Sequence, residues 1–536
     1  MEKKPTTNRT TLNRWGARHA RMFLALATLA CLLPFADKAI HIDDPLFVWA
    51  GRHMQTQWWD PYGFDVNWYG WTMPMHEVTK NPPLASGYIA LIISIFGESE
   101  FWLHVAFFLA AIAAVLGTYA LAQRLCAFPF QAALALVCTP VFMISSTTVM
   151  CDVLMVALWV WAVVFWLRGL DNHQPALLVL ACLLIGAAAL TKYFGIALVP
   201  LLLVYSLARR TSGWRWLPYL LIPVAIVGAY DWGTRALYGP GLFWEAFSYT
   251  MQNETRAPGA FLLKILAALS FTGGCCAIVL TCAPVMARSR SWRWGTIGAI
   301  ILCVVLWLGF GFQWSLFALG GLSVLALPIL DIKRHKNAEA LLLLLWVFGT
   351  LVFCLLNWTI NGRSILPLMP AVAILLLRNI ETSGALPRRQ LNWSLGAVTA
   401  LSLLVSFADY RLAESARTAV HDIALKVESL PKGTIWFQGH WGFQYYAQEN
   451  GWRPFDSKQP AVRPGDLIIL PVNNTNLVAI PPETVERLFT LELPVLPWIS
   501  TMSQALGAGF YSDKRGPLPF AFGRVPVEKY YILRFK

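Results

Sequence analysis

Long apolar stretches alternate with short polar joints from about residue 20 to residue 407. A helix rises about 1.5 Å per residue, so roughly 20 apolar residues cross a hydrocarbon core of about 30 Å. Runs near that length fall at 20–37, 99–123, 130–148, 150–168, 175–190, 192–208, 216–232, 260–286, 295–310, 314–330, 339–357, 364–378 and 392–407. Backbone N–H and C=O groups find no water inside a bilayer, so such runs must be helical. The pattern predicts a polytopic α-helical membrane protein of about thirteen transmembrane helices. The apolar stretch "NPPLASGYIALIISIFG" at 81–97 is short for a crossing. It predicts a helix lying along, or dipping into, the outer face, with Pro82 and Pro83 at its start.

Past residue 407 the pattern changes. Charges return, and "GTIWFQG" and "GDLIILP" read as short buried strands, each opened by a turn glycine. "HWGFQYYAQENG" between them predicts a helix closed by Gly451, and "YYILRFK" a final strand. The expected organisation is a membrane domain over 1–407, with a large first outer loop at 38–98, and a small soluble α/β domain over 408–536.

Composition agrees with a membrane chain: 57% of the 536 residues are hydrophobic and 13% charged, about half the charge of a soluble domain. The net charge of +13 would suit nucleic acid if it formed one patch. Instead the basic residues sit in short clusters between apolar runs, which is how topology is written, so no nucleic-acid partner is expected. With the N-terminus in the cytoplasm, Arg124, Arg168, Arg209–Arg210, Arg288–Arg293, Lys333–Lys336 and Arg388–Arg389 all fall inside. The expected location is therefore the cytoplasmic (inner) membrane, with the C-terminal domain extracytoplasmic. The run 22–35 reads as an uncleaved first helix, because no small-x-small cleavage site follows it. The ten cysteines lie in or beside apolar runs, without metal spacing, and predict neither a disulfide framework nor a zinc-finger-like site.

That threading gathers ionisable residues at the outer membrane level. Asp43 and Asp44 follow the first helix, Lys80 precedes a proline turn, and Asp152, Lys192 and Arg363 open later spans. One charge at a helix end is usually an interfacial anchor. Acids anchor poorly, and carboxylates after a helix C-terminus oppose its dipole. Acids and bases on one side at one depth point to a polar cavity open to the outside. Two outward cations suit a phosphate on a lipid, and a nearby carboxylate suits proton abstraction from a hydroxyl. Asp43, Asp44, His76 and Glu77 are candidate ligands for a divalent ion, the one cofactor the residues suggest. His440 and Trp441 are candidate sugar contacts, with a packed aromatic cluster as the plainer reading. From the residues alone, the chemistry is that of lipid phosphates on the outer face.

In order, the chain shows the acid pair Asp43–Asp44, "KNPPL" at 80–84, "SSTTVMCDVLMVALW", "LTKYFG" at 190–195 and "RSILPLMP" at 363–370. Together these resemble the membrane glycosyltransferases of the protein O-mannosyltransferase and lipid A aminoarabinose transferase superfamily, over about residues 20–380. The resemblance implies a GT-C-like fold and a sugar donor carried on polyprenyl phosphate. It implies inverting transfer to an acceptor hydroxyl on the extracytoplasmic face. It casts Asp43 as catalytic base, Asp44 as its acidic neighbour and Asp152 as a further cavity acid, with Lys80, Lys192 and Arg363 near the donor phosphate. Relatives often carry Lys or His directly before Pro-Pro; here Asn81 stands there and Lys80 one place earlier. The acceptor is a protein, a lipid or a glycan. A ligase or polymerase of lipid-linked glycans, and a transporter or flippase of lipid-linked sugars, are the alternative functions.

Overall fold

The structure, a computed structural model, describes residues 9–209, 213–251, 260–286, 311–383, 388–430 and 433–536, with Ile301, Val304 and 307–309 between them. Among the described residues six helices are long and apolar enough to cross a bilayer, or seven if a bent pair counts as one span. They are Glu100–Leu125, Cys151–Asn172, Phe312–His335, Ala338–Leu356, Gly362–Thr382 and Arg389–Val427, with the pair Pro129–Val137 and Pro140–Ser146. Shorter apolar helices occupy His19–Phe35, Pro175–Thr191, Tyr193–Ala208 and Ala260–Cys275, and Leu221–Tyr238 fills the run expected at 216–232. The expected span at 295–310 lies largely outside the described residues. The chain is a multi-pass membrane protein.

Local chemistry explains the breaks. The run expected as one helix at 130–148 bends by 62° between Val137 and Pro140. Pro140 donates no backbone hydrogen bond and so interrupts the ladder. At the break, the Cys138 carbonyl accepts from Ser402 Oγ at 2.6 Å. Asn337 caps Ala338–Leu356, its side chain accepting from Ala340 N. The run at 175–208 breaks at Lys192, which is extended, and continues through a 3-10 turn at Tyr193–Ala197. Gly195 makes that turn fit, since a Cβ there would strike the Ala188 backbone.

The expected surface helix is present as Leu84–Phe96, about 20 Å long and too short to span. It packs on Asp44–Met54 through Gly51, whose Cβ would sit 2.9 Å from the Ser86 carbonyl, and Tyr88 Oη donates to Ala106 O at 2.8 Å. Leu91, Ile95 and Phe96 stay exposed, the apolar face that a helix at a membrane surface requires.

In the tail, Ile435–Phe437, Leu467–Pro471 and Glu528–Phe535 form strands, and Trp441–Glu449 forms the expected helix. Across the five-stranded sheet the order is Arg453–Pro454, Ile435–Phe437, Leu467–Pro471, Glu528–Phe535, Val485–Leu493. The first three strands pair parallel and the last two join antiparallel.

The tail is joined to the helices more closely than a boundary at 407 implies. The last long helix runs unbroken from Arg388 to Val427. Its residues Ala419, Val420, Ile423 and Val427 pack in the core under the sheet. Between the last two strands, Ile499, Met502, Phe510, Tyr511, Leu518 and Phe520 pack into the main helical core instead.

The tail helix also grips the first outer loop. Ile40 N donates to Tyr446 Oη at 2.7 Å, and a Cβ on Gly442 would strike the Ile40 carbonyl. Ile42 (φ 47°) and Trp441 (φ 62°), on either side of this contact, hold left-handed backbone conformations. For a β-branched residue such as Ile42 that is strained, by order 1–3 kcal/mol, and persists only where surrounding contacts impose it. Gly442→Ala would ordinarily favour a helix. Here the steric conflict should dominate, lowering the stability by about 1–3 kcal/mol. Thermal unfolding in detergent measures this; an unchanged or raised melting temperature would mean that the loop and the tail helix are not in contact.

Candidate functional site

Four of the charged residues singled out in the sequence meet at one place. Arg363, at the start of the helix that follows Asn361, donates from one terminal nitrogen to Asp43 Oδ2 at 2.8 Å. Its other terminal nitrogen lies 3.9 Å from Asp152 Oδ2. Lys192 Nζ donates to Asp152 Oδ1 at 2.6 Å. The residues come from the first loop and from three helix starts or breaks. Asn361 fixes the Arg363 turn by accepting from Ser364 N at 2.8 Å. The extended backbone at Lys192 turns that side chain out of its helix and toward Asp152.

Exposure separates the roles. The Asp152 side chain is 2% exposed and those of Arg363 and Lys192 are 13% and 18%, whereas Asp43 is 31% exposed. Asp43 is therefore the acid that an outside molecule reaches first. Asp152 Oδ2 and Arg363 Nε are buried without a hydrogen-bond partner. Unused donor and acceptor capacity of that kind is costly unless something else fills it. The charges sum to zero, and the unpartnered atoms lie one on a cation, Arg363, and one on an acid, Asp152.

Asp44 does something different from Asp43. It is fully buried, and its two oxygens accept from His41 N at 2.9 Å and Val149 N at 3.0 Å. Burial pushes its carboxyl up to about 7, against the pull of Lys38 and the two N–H groups. Asp44 ties the loop to the start of Cys151–Asn172 and thereby sets where Asp43 stands. It braces the loop and is not a second acid facing Arg363 beside Asp43.

Lys80 is not brought into the group of four. It pairs with Glu245 and lies 5.7 Å from the centre of the Tyr249 ring. Its neighbour Asn81 is closer to the site, its Oδ1 accepting from Cys151 Sγ at 3.6 Å, next to Asp152. His76 stacks on Tyr238 at 4.7 Å, and Glu77 is exposed. Asp43, Asp44, His76 and Glu77 thus do not converge. The described residues hold no group of three or more His, Cys, Asp or Glu side chains suited to a metal ion. With Asp44 spent on backbone N–H groups and Asp43 on Arg363, the donor set does not fit a resident divalent ion. His440 is buried against Trp68, 5.3 Å away, with Nδ1 3.2 Å from Gln444 Oε1. That is a packed cluster.

A second buried constellation lies beside the first and was not legible in the sequence. Asp409, on the long last helix, accepts from Lys38 Nζ at 2.6 Å, Thr501 Oγ1 at 2.6 Å and Tyr511 Oη at 2.8 Å. All four residues are buried. An acid at the end of an apolar run was the available signal for Asp409. Its partners are 371, 92 and 102 residues away, which no local pattern reveals.

Comparison with known proteins bears on this arrangement. Residues 80–231 match the family model for dolichyl-phosphate-mannose-protein mannosyltransferase. They carry Lys80, Asp152 and Lys192. The ArnT structure from Cupriavidus metallidurans bound to undecaprenyl phosphate superposes with a TM-score of 0.53 at 15% identity, covering 85% of this chain and 93% of that one. The chain has the fold of a membrane glycosyltransferase. This glycosyltransferase fold is the one expected from the motifs. Weaker likenesses are to the Archaeoglobus fulgidus oligosaccharyltransferase in the apo form (TM-score 0.49, 12% identity, 85% and 66% covered). Another is the mycobacterial arabinofuranosyltransferase AftD (TM-score 0.39, 13% identity, 98% and 40% covered). No curated protein sequence matches the chain.

Lys192→Met would leave Asp152 buried with only the more distant Arg363. Stranding one partner of a buried pair costs about 3–5 kcal/mol. The single variant should therefore unfold at markedly lower temperature, and adding Asp152→Asn should recover most of that loss without recovering activity. A single variant as stable as the wild type would show that the two groups do not pair.

Proposed function

We propose that this protein transfers a sugar from a polyprenyl-phosphate carrier to an acceptor hydroxyl, with inversion, on the extracytoplasmic face of the inner membrane. The observation that carries the reading is the Asp43–Arg363–Asp152–Lys192 group: one accessible acid backed by two cations, with Arg363 Nε left without a hydrogen-bond partner. The family match over 80–231 and the glycosyltransferase fold support it. So does the positive-inside charge pattern, which puts this group outside.

The chemistry follows from the charges. A sugar joined to a lipid through phosphate is a phosphodiester with one negative charge. When the bond from the anomeric carbon to the phosphate oxygen breaks, that oxygen takes the electron pair and the phosphate becomes a dianion. Arg363 and Lys192 offset the added charge, an interaction stronger in the transition state than in the ground state. The donor phosphate competes with Asp43 for the guanidinium. As Arg363 turns to the phosphate, Asp43 is released to accept the acceptor's hydroxyl proton while the hydroxyl oxygen attacks the anomeric carbon. Asp152 stays with Lys192 and keeps both cations at the site.

Transport would also use charges within a helical bundle, but transporters place them at the midplane between broken helices of related halves. Here the charges lie at one end of their helices, and the sequence shows no internal repeat. Ligation of lipid-linked glycans would use the same four residues with a different acceptor, and the labelled product distinguishes the two.

Asp43→Asn should slow transfer by about 10²–10⁴-fold, the usual cost of losing a general base, while donor binding is kept or tightened, because the competing carboxylate on Arg363 is gone. Membranes containing the full chain, supplied with radiolabelled polyprenyl-phosphate sugars, would show loss of label from the lipid for the wild type only. Near-normal turnover by the variant would remove Asp43 from the mechanism.

A further inference from the structure

Arg363 is also contacted by the tail. Tyr511 is 3% exposed, and its ring centre lies 5.5 Å from the Arg363 guanidinium carbon. The backbone beside Arg363 is gripped by the same segment. Gly362 N donates to Phe510 O at 2.6 Å, and Asp513 N donates to Ile360 O at 2.8 Å. Asp513 Oδ1 accepts from Ile360 N at 3.0 Å. Gly362 has to be glycine for this approach, since a Cβ would strike the Phe510 ring. The tail segment is anchored in turn by Asp409, through Tyr511 Oη and Thr501 Oγ1.

Arg363 needs such a hold. One acid lies at hydrogen-bond distance and the other at 3.9 Å, so carboxylates alone leave its plane free to tilt. An aromatic face on one side removes that freedom, and it attracts the cation most strongly where water is excluded. The geometry points to Tyr511 as a positioning residue that holds the Arg363 guanidinium for the lipid phosphate, so that the tail completes the donor site. This rests on the reading of Arg363 as a phosphate-binding group. The two ends of Tyr511 have separable jobs: the ring orients Arg363, and the hydroxyl fastens the tail to Asp409.

The test uses the full-length protein in nanodiscs, with undecaprenyl phosphate as the probe, measuring its dissociation constant and the melting temperature together. Tyr511→Leu removes the ring and should weaken binding by about 3- to 30-fold, the range a cation–π contact supplies. Tyr511→Phe keeps the ring and Thr501→Val leaves it untouched. Both should melt earlier, because each removes a hydrogen bond to Asp409, yet bind as the wild type does. Should Tyr511→Leu fail to fold, phenylalanines of increasing fluorination at 511 keep the shape while weakening the ring's negative face, and affinity should fall with each step. A flat fluorine series, wild-type binding by Tyr511→Leu, or equal losses in all three variants would each overturn the positioning role. If the wild type itself fails to bind undecaprenyl phosphate, the reading of Arg363 falls, and this inference with it.

Discussion

A charge taken out of water beside a bilayer has to be matched by an opposite charge or a set of hydrogen bonds, because its desolvation otherwise costs several kcal/mol. That constraint organises the end of the helices where these acids lie. Asp152 is almost wholly buried and is matched by Lys192 and, at longer range, by Arg363. Asp409 is wholly buried and is matched by Lys38 and two hydroxyls. Asp44 is matched by backbone N–H groups. Each match ties together parts of the chain that are distant in sequence, so the electrostatic requirement also fixes the tertiary arrangement. Of these acids Asp43 alone keeps substantial access to solvent.

The same economy explains why the first loop and the tail cannot be treated apart. The loop carries Asp43 on a strained backbone at Ile42 and is braced from below by Asp44. From above it meets the tail helix at Gly442 and Tyr446. Ion pairs reinforce the contact: Arg417 pairs with Glu100 and Arg52 with both Glu98 and Glu449. These outer pairs are partly exposed, and each contributes little by itself. Their effect is to fix register, while the close backbone approach sets the distance. A rigid support of this kind is what a reacting group needs, since misplacement by about 1 Å can cost 10²-fold in rate.

Much of the helical layout was legible because bilayer thickness imposes one length scale on apolar runs, and because prolines and glycines mark the breaks. The tail strands were legible as short apolar runs opened by turn glycines. Where the reading of the sequence and the structure differ, each difference has a specific physical reason. The bend at Pro140 split one expected helix. Polar residues after 407 suggested a boundary, but Arg388–Val427 continues because its later turns have the tail sheet to pack against. The acid pair suggested a base with an acidic neighbour beside it at the site. Asp44 begins a helix and turns inward to backbone donors, leaving Asp43 alone at the mouth.

Asp43, Asp152, Lys192 and Arg363 could be chosen from sequence, since ionisable residues at the ends of apolar spans are rare and costly. Lys80, chosen on the same ground, belongs elsewhere, because Glu245 is near enough to claim it. Asp409, Thr501 and Tyr511 had no comparable signal: a tyrosine or threonine in a tail looks like any other until the fold carries it back to the helices. The sequence by itself determined that the chain crosses a membrane many times and which charges would be expensive to bury, because hydrophobic length and charge are properties of the residues. Which charges meet, and that the tail closes around Arg363, was decided only by the tertiary structure, because pairing depends on distances between segments hundreds of residues apart.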